Sequence, residues 1–150
     1  NIDDVAWPRC GEIDIMEYTG SVPLRSTSAA HYANNIGLHN YKSGATTAAT
    51  EFYNDYHTYG LLWLPSELTF YVDNKVSFKV TKNDTGLTYW PFGPNADKQD
   101  PKMYLIFNLA MGGNYGGTIG SGLTKAQFSI DYVRYYSVNG YGKVFGVGNN

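Results

Sequence analysis

Cys10-Gly11-Glu12-Ile13-Asp14-Ile15-Met16-Glu17-Tyr18 sets three carboxylates within six residues of an otherwise apolar, β-prone run. Side chains alternate faces along a strand, so Glu12 and Asp14 share one face while Ile13 and Ile15 enter the layer behind it. Unbroken alternation would put Met16 beside the acids and drive Glu17 into the core, where an unpaired carboxylate is costly. One extra residue, a β-bulge at Ile15-Met16, restores the phase. The strand is therefore expected to present all three acids on one face.

Two glutamates flanking an aspartate at this spacing suit glycoside hydrolysis. Residues two apart on a strand are separated by roughly 6.6 Å. Long side chains leaning inward over Asp14 would bring the two glutamate carboxyls to the ~5–5.5 Å of a retaining glycosidase, where one attacks the sugar and the other protonates the leaving oxygen. Asp14 would orient the nucleophile and help keep the acid protonated, because adjacent like charges resist ionising together. A solvated acidic strand or a fragment of a calcium loop would explain neither the Ile-x-Ile interleaving nor the Gly11 lead-in.

The longer run Trp7-Pro8-Arg9-Cys10-Gly11-Glu12-Ile13-Asp14-Ile15-Met16-Glu17 closely resembles the active-site strand of glycoside hydrolase family 16. The match is to the bulged E-x-D-x-x-E form of laminarinases and their relatives; the lichenase branch lacks the inserted residue, so Met16 points to the bulged branch. The resemblance implies an all-β fold, an antiparallel β-sandwich of the concanavalin-like jelly-roll type. It makes Glu12 the nucleophile, Asp14 its helper and Glu17 the acid/base. It implies a glucosyl floor at Trp7 and a cleft-facing imidazole at His31, and "F-x-x-x-x-H-x-Y-x-x-x-W … F-Y-V-D-N" from Phe52 to Asn74 extends it. Family domains run well beyond this length, with the acid strand near their middle. The resemblance therefore covers the C-terminal part of the domain, and the N-terminal strands are expected from the same longer chain or from another chain. It also implies a secreted protein, extracellular or periplasmic, although the sequence holds no signal peptide or membrane span.

Composition narrows the partners. With 11 basic and 13 acidic residues and no basic cluster, there is no electrostatic case for nucleic acid or an anionic membrane, and the substrate is expected to be a neutral polysaccharide. Fourteen tyrosines, three tryptophans and 17 glycines suit strands, turns and sugar-stacking surfaces. A single cysteine, Cys10, has no partner for an internal disulfide and reads as a small buried filler.

Along the chain, Asn1 to Arg9 reads as a loop and Ser26 to Tyr32 as a strand antiparallel to the acid strand. Gly37 to Ala49 reads as a polar loop. Phe52 to Trp63 reads as a strand, with a tight turn at Leu64-Pro65-Ser66-Glu67. Leu68 to Asp73 and Lys75 to Val80 complete a meander around an Asp73-Asn74 turn. His57 and Trp63 read as core. Asn83-Asp84-Thr85 has the form of a glycosylation sequon. Thr88 to Pro101 reads as irregular, with Trp90 as a loop anchor.

Lys102 to Met111 alternates as a strand with Tyr104, Ile106, Asn108 and Ala110 on one face. Asn108 needs a partner there, and the resemblance turns its amide to the cleft. The turn Gly112-Gly113-Asn114-Tyr115-Gly116-Gly117 lacks the Lys-Ser/Thr of a phosphate loop. Asn114 in it is a further candidate for substrate contact, and Tyr115 stands where family members often carry Trp. Gln127 to Tyr136 resembles the family's closing strand, in which the residue matching Asp131 binds a structural Ca²⁺; Asp131 alone cannot make that site. The domain reading is a partial β-sandwich over 1–136 and a Gly-rich tail or linker over 137–150.

The function these residues favour is retaining endo-hydrolysis of β-1,3-linked or mixed β-1,3/1,4 glucan, with no cofactor for catalysis. The alternatives are a galactan hydrolase or transglycosylase on the same scaffold, or a non-catalytic glucan-binding or assembly fragment. The presence of both Glu12 and Glu17 weighs against the last.

Overall fold

The structure, a computed structural model, describes residues 5–94 and 102–144 of the 150. The loop expected from Asn1, the irregular stretch to Pro101 and the tail to Asn150 each extend outside the described residues. The chain divides into two compact units, Asn1–Ile119 and Gly120–Asn150. Among the described residues no helix is long and apolar enough to cross a membrane.

The first unit holds two antiparallel three-stranded sheets. One is ordered β1 (Glu12–Tyr18), β2 (Arg25–Ala33), β3 (His39–Thr47); the other is ordered β4 (Tyr59–Leu64), β5 (Glu67–Val72), β6 (Lys75–Thr81). β3 lies against β6 and β1 against β4. Between the sheets Ala30, Tyr32, Leu68, Phe70, Val80, Leu87, Trp90 and Phe92 form the buried core, with Ile13, Leu61, Trp63, Phe78 and Met103 packed on it. The sheets approach closely at Gly44 in β3, where an added Cβ would stand 2.6 Å from the Phe78 Cβ on β6. The all-β, antiparallel expectation is met, with the acid strand at one side of the first sheet.

β2 shows why this sheet is two-faced. Its Ser26, Ser28, Ala30 and Tyr32 are buried, while Thr27 and His31 are half-exposed on the opposite face. Period-two alternation thus gives β2 one face for the core and one for the acids of β1. In the other sheet, Asp73 and Asn74 take positive φ of 49° and 63° and close the two-residue turn between β5 and β6. Short polar side chains tolerate that conformation better than others.

Three sequence expectations need correction. Gly37 to Ala49 is not a loop: residues 39–47 form β3, paired with β2 along its whole length from Arg25↔Thr47 to Ala33↔His39. An edge strand satisfies its backbone by pairing on one side and needs no apolar face, so it carries no hydrophobic period to read. The strand expected across Phe52 to Trp63 begins only at Tyr59, preceded by a single 3-10 turn at Phe52–Asn54. Lys102 to Met111 and Gln127 to Tyr136 form no ladder among the described residues. An alternating pattern makes a strand only where a neighbouring backbone accepts its hydrogen bonds, and Tyr104, Leu105, Ile106, Phe107, Leu109 and Met111 stand exposed. The 82–85 segment around the sequon is a helical turn, α1 (Lys82–Thr85), and a second, α2, spans Gly113–Gly116.

Candidate active site

The lead-in to β1 is held close to the core. Gly11 has φ +78°, and a Cβ there would lie 2.8 Å from the Phe92 ring and 2.9 Å from Pro91, so only glycine fits. Phe92 is itself fixed by Trp63, whose Nε1–H donates to its carbonyl at 2.6 Å. Cys10 is buried and free, as expected of a filler.

Across β1 and β2 the pairs are Glu12↔His31, Asp14↔Ala29 and Glu17↔Thr27. Three steps along β1 from Asp14 to Glu17 match two along β2, so one residue is extra and the bulge lies at Ile15-Met16. The Ile15 carbonyl left over by the bulge accepts from Ser28 Oγ at 3.0 Å, and the Glu17 carbonyl from Ser26 Oγ at 3.4 Å. Two serines on the core-facing side of β2 thereby satisfy backbone that the broken ladder would orphan. Ala29, a small side chain, stands opposite Asp14.

The acids form one electrostatic group. Burial pushes the Asp14 carboxyl up to about 7, helped by the neighbouring charges of Glu12 and Glu17 and by a hydrogen bond with Glu12. At neutral pH Asp14 is thus half-protonated, and a proton on it bridges to Glu12. Glu12 Oε2 also accepts from Trp7 Nε1–H at 2.7 Å. His31 Nε2 lies 3.1 Å from Asp14 Oδ2. Burial and the neighbouring His39 lower the affinity of His31 for a proton, against the opposing pull of Glu12 and Glu17. Glu17 Oε2 accepts from Thr27 Oγ1 at 3.4 Å, and the same hydroxyl is 3.2 Å from the Tyr115 hydroxyl on α2.

Trp7 and His31 therefore stand with Glu12, Asp14 and Glu17. Asn108 lies in the ladder-free 102–111 stretch and Asn114 in α2; among the described residues neither hydrogen-bonds the three carboxylates. Asp131 belongs to the second unit and is exposed. No group of three or more His, Cys, Asp or Glu among the described residues is placed to hold a metal. The sequence reading missed His39, Thr27 and Tyr41. His39 Nε2 is 2.8 Å from His31 Nδ1, its ring packs on Trp7 at 4.7 Å, and Tyr41 stacks on His31 at 5.3 Å. The available signal was the His39-x-Tyr41 spacing, which becomes visible once 39–47 is treated as a strand.

This arrangement accords with comparisons to known proteins. The chain is 38% identical over 135 residues to glucan endo-1,3-beta-glucosidase A1 of Niallia circulans, covering 87% of this chain and 20% of that protein. It is 33% identical to the keratan-sulfate endo-1,4-beta-galactosidase of Sphingobacterium multivorum, covering 88% of this chain and 29% of that protein. Among solved structures, the laminarinase catalytic domain from Thermotoga maritima superposes with a TM-score of 0.53 at 30% identity, over 62% of this chain and 39% of that one. The chain thus spans less than a third of the length of these two curated relatives. The sequence profile of Glycosyl hydrolases family 16 matches residues 3–134, and the chain belongs to that family.

Proposed function

We propose that this protein is a retaining endo-β-glucanase acting on β-1,3-linked or mixed β-1,3/1,4 glucan, with Glu12 as nucleophile and Glu17 as acid/base. The observation that carries the reading is the bulge, which returns Glu17 to the face of Glu12 with Asp14 between them. Glu12 attacks the anomeric carbon while Glu17 protonates the departing oxygen; Glu17 then deprotonates the water that releases the sugar. Asp14 shares its proton with Glu12, which relieves the repulsion among the three crowded carboxyls. As Glu12 is spent in the glycosyl ester its charge disappears and Asp14 ionises more readily, so the proton load of the group follows the reaction.

Trp7 supplies both an indole donor to Glu12 and an apolar face, 47% exposed, for a sugar ring. Asn108 and Asn114 remain proposed substrate contacts, and Asp131 a proposed calcium ligand. A polymeric substrate fits an extracellular or periplasmic enzyme. The exposed run from Tyr104 to Met111 and the partial match to longer relatives support further strands completing the sheets, from the same longer chain or from another. The galactosidase relative favours one second reading, a galactan hydrolase using the same three carboxyls.

The roles are tested by exchange. Glu12→Gln is expected to abolish a trapped glycosyl-enzyme on laminarin oligosaccharides. Glu17→Ala should retain hydrolysis of aryl glycosides with activated leaving groups and gain rate with azide. Equal loss of both reactions in a folded Glu17→Ala protein would reject that assignment, and keratan or agar-type galactan hydrolysed faster than laminarin would select the second reading.

A further inference from the structure

We propose that His39, through His31 and Asp14, is a positioning residue that fixes the direction of the hydrogen bonds converging on Glu12. The inference rests on the glycosidase reading of the same site. Four side chains close a ring with the nucleophile: Trp7 Nε1 to Glu12 Oε2 at 2.7 Å, Trp7 against His39 at 4.7 Å, His39 Nε2 to His31 Nδ1 at 2.8 Å, His31 Nε2 to Asp14 Oδ2 at 3.1 Å, and Asp14 hydrogen-bonded back to Glu12.

The donors in this ring have one consistent order. When the Asp14 proton is turned to Glu12, Asp14 Oδ2 is an acceptor, so His31 must carry its hydrogen on Nε2. A neutral imidazole then has a bare Nδ1, which accepts from His39 Nε2–H. His39 thus donates to His31, His31 to Asp14, and Asp14 to Glu12, with Trp7 donating from the other side. Every hydrogen bond in the group points toward the attacking carboxylate. Without the donor at His39, His31 is free to place its hydrogen on Nδ1, which leaves two acceptors facing each other at Asp14 and lets the carboxyl turn.

Local sequence holds His39 in place. The β2–β3 turn is pinned by Asn34, whose Oδ1 accepts from the Ile36 and Leu38 backbone N–H groups at 3.1 and 2.9 Å. His39 pairs with Ala33, one diagonal step from His31, and Tyr41 pairs with His31 directly. Diagonal neighbours on one sheet face are within reach of long or aromatic side chains. The ionisable strand residues on this face are Glu12, Asp14 and Glu17 of β1, Arg25 and His31 of β2, and His39 and Tyr41 of β3.

Nitrogen-15 NMR of histidine-labelled protein tests the order directly, because the two ring nitrogens report protonated and bare states separately. His31 of the wild-type protein is expected to carry hydrogen on Nε2; hydrogen on Nδ1 would overturn the proposal without any variant. His39→Gln retains an amide donor at the position of Nε2 and should preserve the His31 tautomer. His39→Phe keeps a ring against Trp7 but loses the donor, and His31 should become a mixture of tautomers. In laminarin hydrolysis His39→Phe should lower kcat about tenfold with KM nearly unchanged, the scale of losing a residue that orients a catalytic group, and His39→Gln should recover most of it. An unchanged tautomer in His39→Phe, or an unchanged kcat beside a changed tautomer, would refute the positioning role. Wild-type protein inactive on both glucans and galactans would refute the glycosidase reading, while the tautomer measurement would still judge the hydrogen-bond order.

Discussion

Asp14 concentrates the conflict of this site in one residue. Its side chain is only 20% exposed and lies beside two glutamates, so its proton is held to about 7 where an unfolded aspartate releases it near 3.8. The folded state therefore binds more protons than the unfolded state between those values, and stability falls as pH rises through that window. Below the unfolded value the group is neutral in both states and contributes nothing; above about 7 the full penalty applies. Asp14→Asn mimics the protonated form, since its amide donates to Glu12 while its carbonyl accepts from His31. Discounted for partial exposure, the substitution should stabilise the protein by about 2 kcal/mol at pH 8 and by little at pH 4. Urea unfolding at the two pH values measures it, and a gain that is equal at both, or larger at pH 4, would contradict the protonation state.

At the scale of the element, the bulge in β1 decides which face Glu17 occupies. Removing Met16 leaves Glu12, Asp14 and Glu17 in strict alternation, still on one face, with Tyr18 still following Glu17 opposite an unbroken β2. Removing Ile15 and Met16 together leaves Glu17 adjacent to Asp14 and turns it into the interlayer. The single deletion should stay folded and lose on the order of 10²-fold in kcat/KM through misplacement of the acid/base. The double deletion should fall to background and lose stability from a buried carboxylate. Equal behaviour of the two deletions in hydrolysis and thermal unfolding would show that the bulge does not set the phase.

At the scale of the molecule, the exposed run Tyr104 to Met111 is the feature that an isolated folded domain avoids. Its alternating pattern and its lack of a ladder together call for a partner backbone, and β1 and β3 each have one unpaired side in the described sheet order. Residues 1–150 expressed alone should bind a dye specific for exposed apolar surface, unfold with low cooperativity and hydrolyse laminarin poorly. A longer chain that supplies additional strands should reverse all three. A cooperative, fully active monomer of 150 residues would reject the need for added strands.

The sequence by itself settled what depends on neighbours along the chain. The spacing Glu12-x-Asp14-x-x-Glu17 against Ile13 and Ile15 demanded a bulge because alternation is a property of one strand, and the Asp73-Asn74 turn was legible because left-handed backbone selects its residues locally. The buried positions of Trp90 and Cys10, and the packing of the partly buried Trp63 on the core, followed from apolar surface alone. Tertiary structure decided what depends on partners distant in sequence. β3 exists because β2 offers its backbone, although 39–47 has no apolar period, and the 102–111 run, which has one, forms no ladder where none is offered. His39 joined the site, and the Asp14 carboxyl is pushed up to about 7, because burial and neighbouring side chains are set by strands paired across the sheet. A residue pattern specifies which face a side chain takes; only the assembled sheet specifies what that side chain meets.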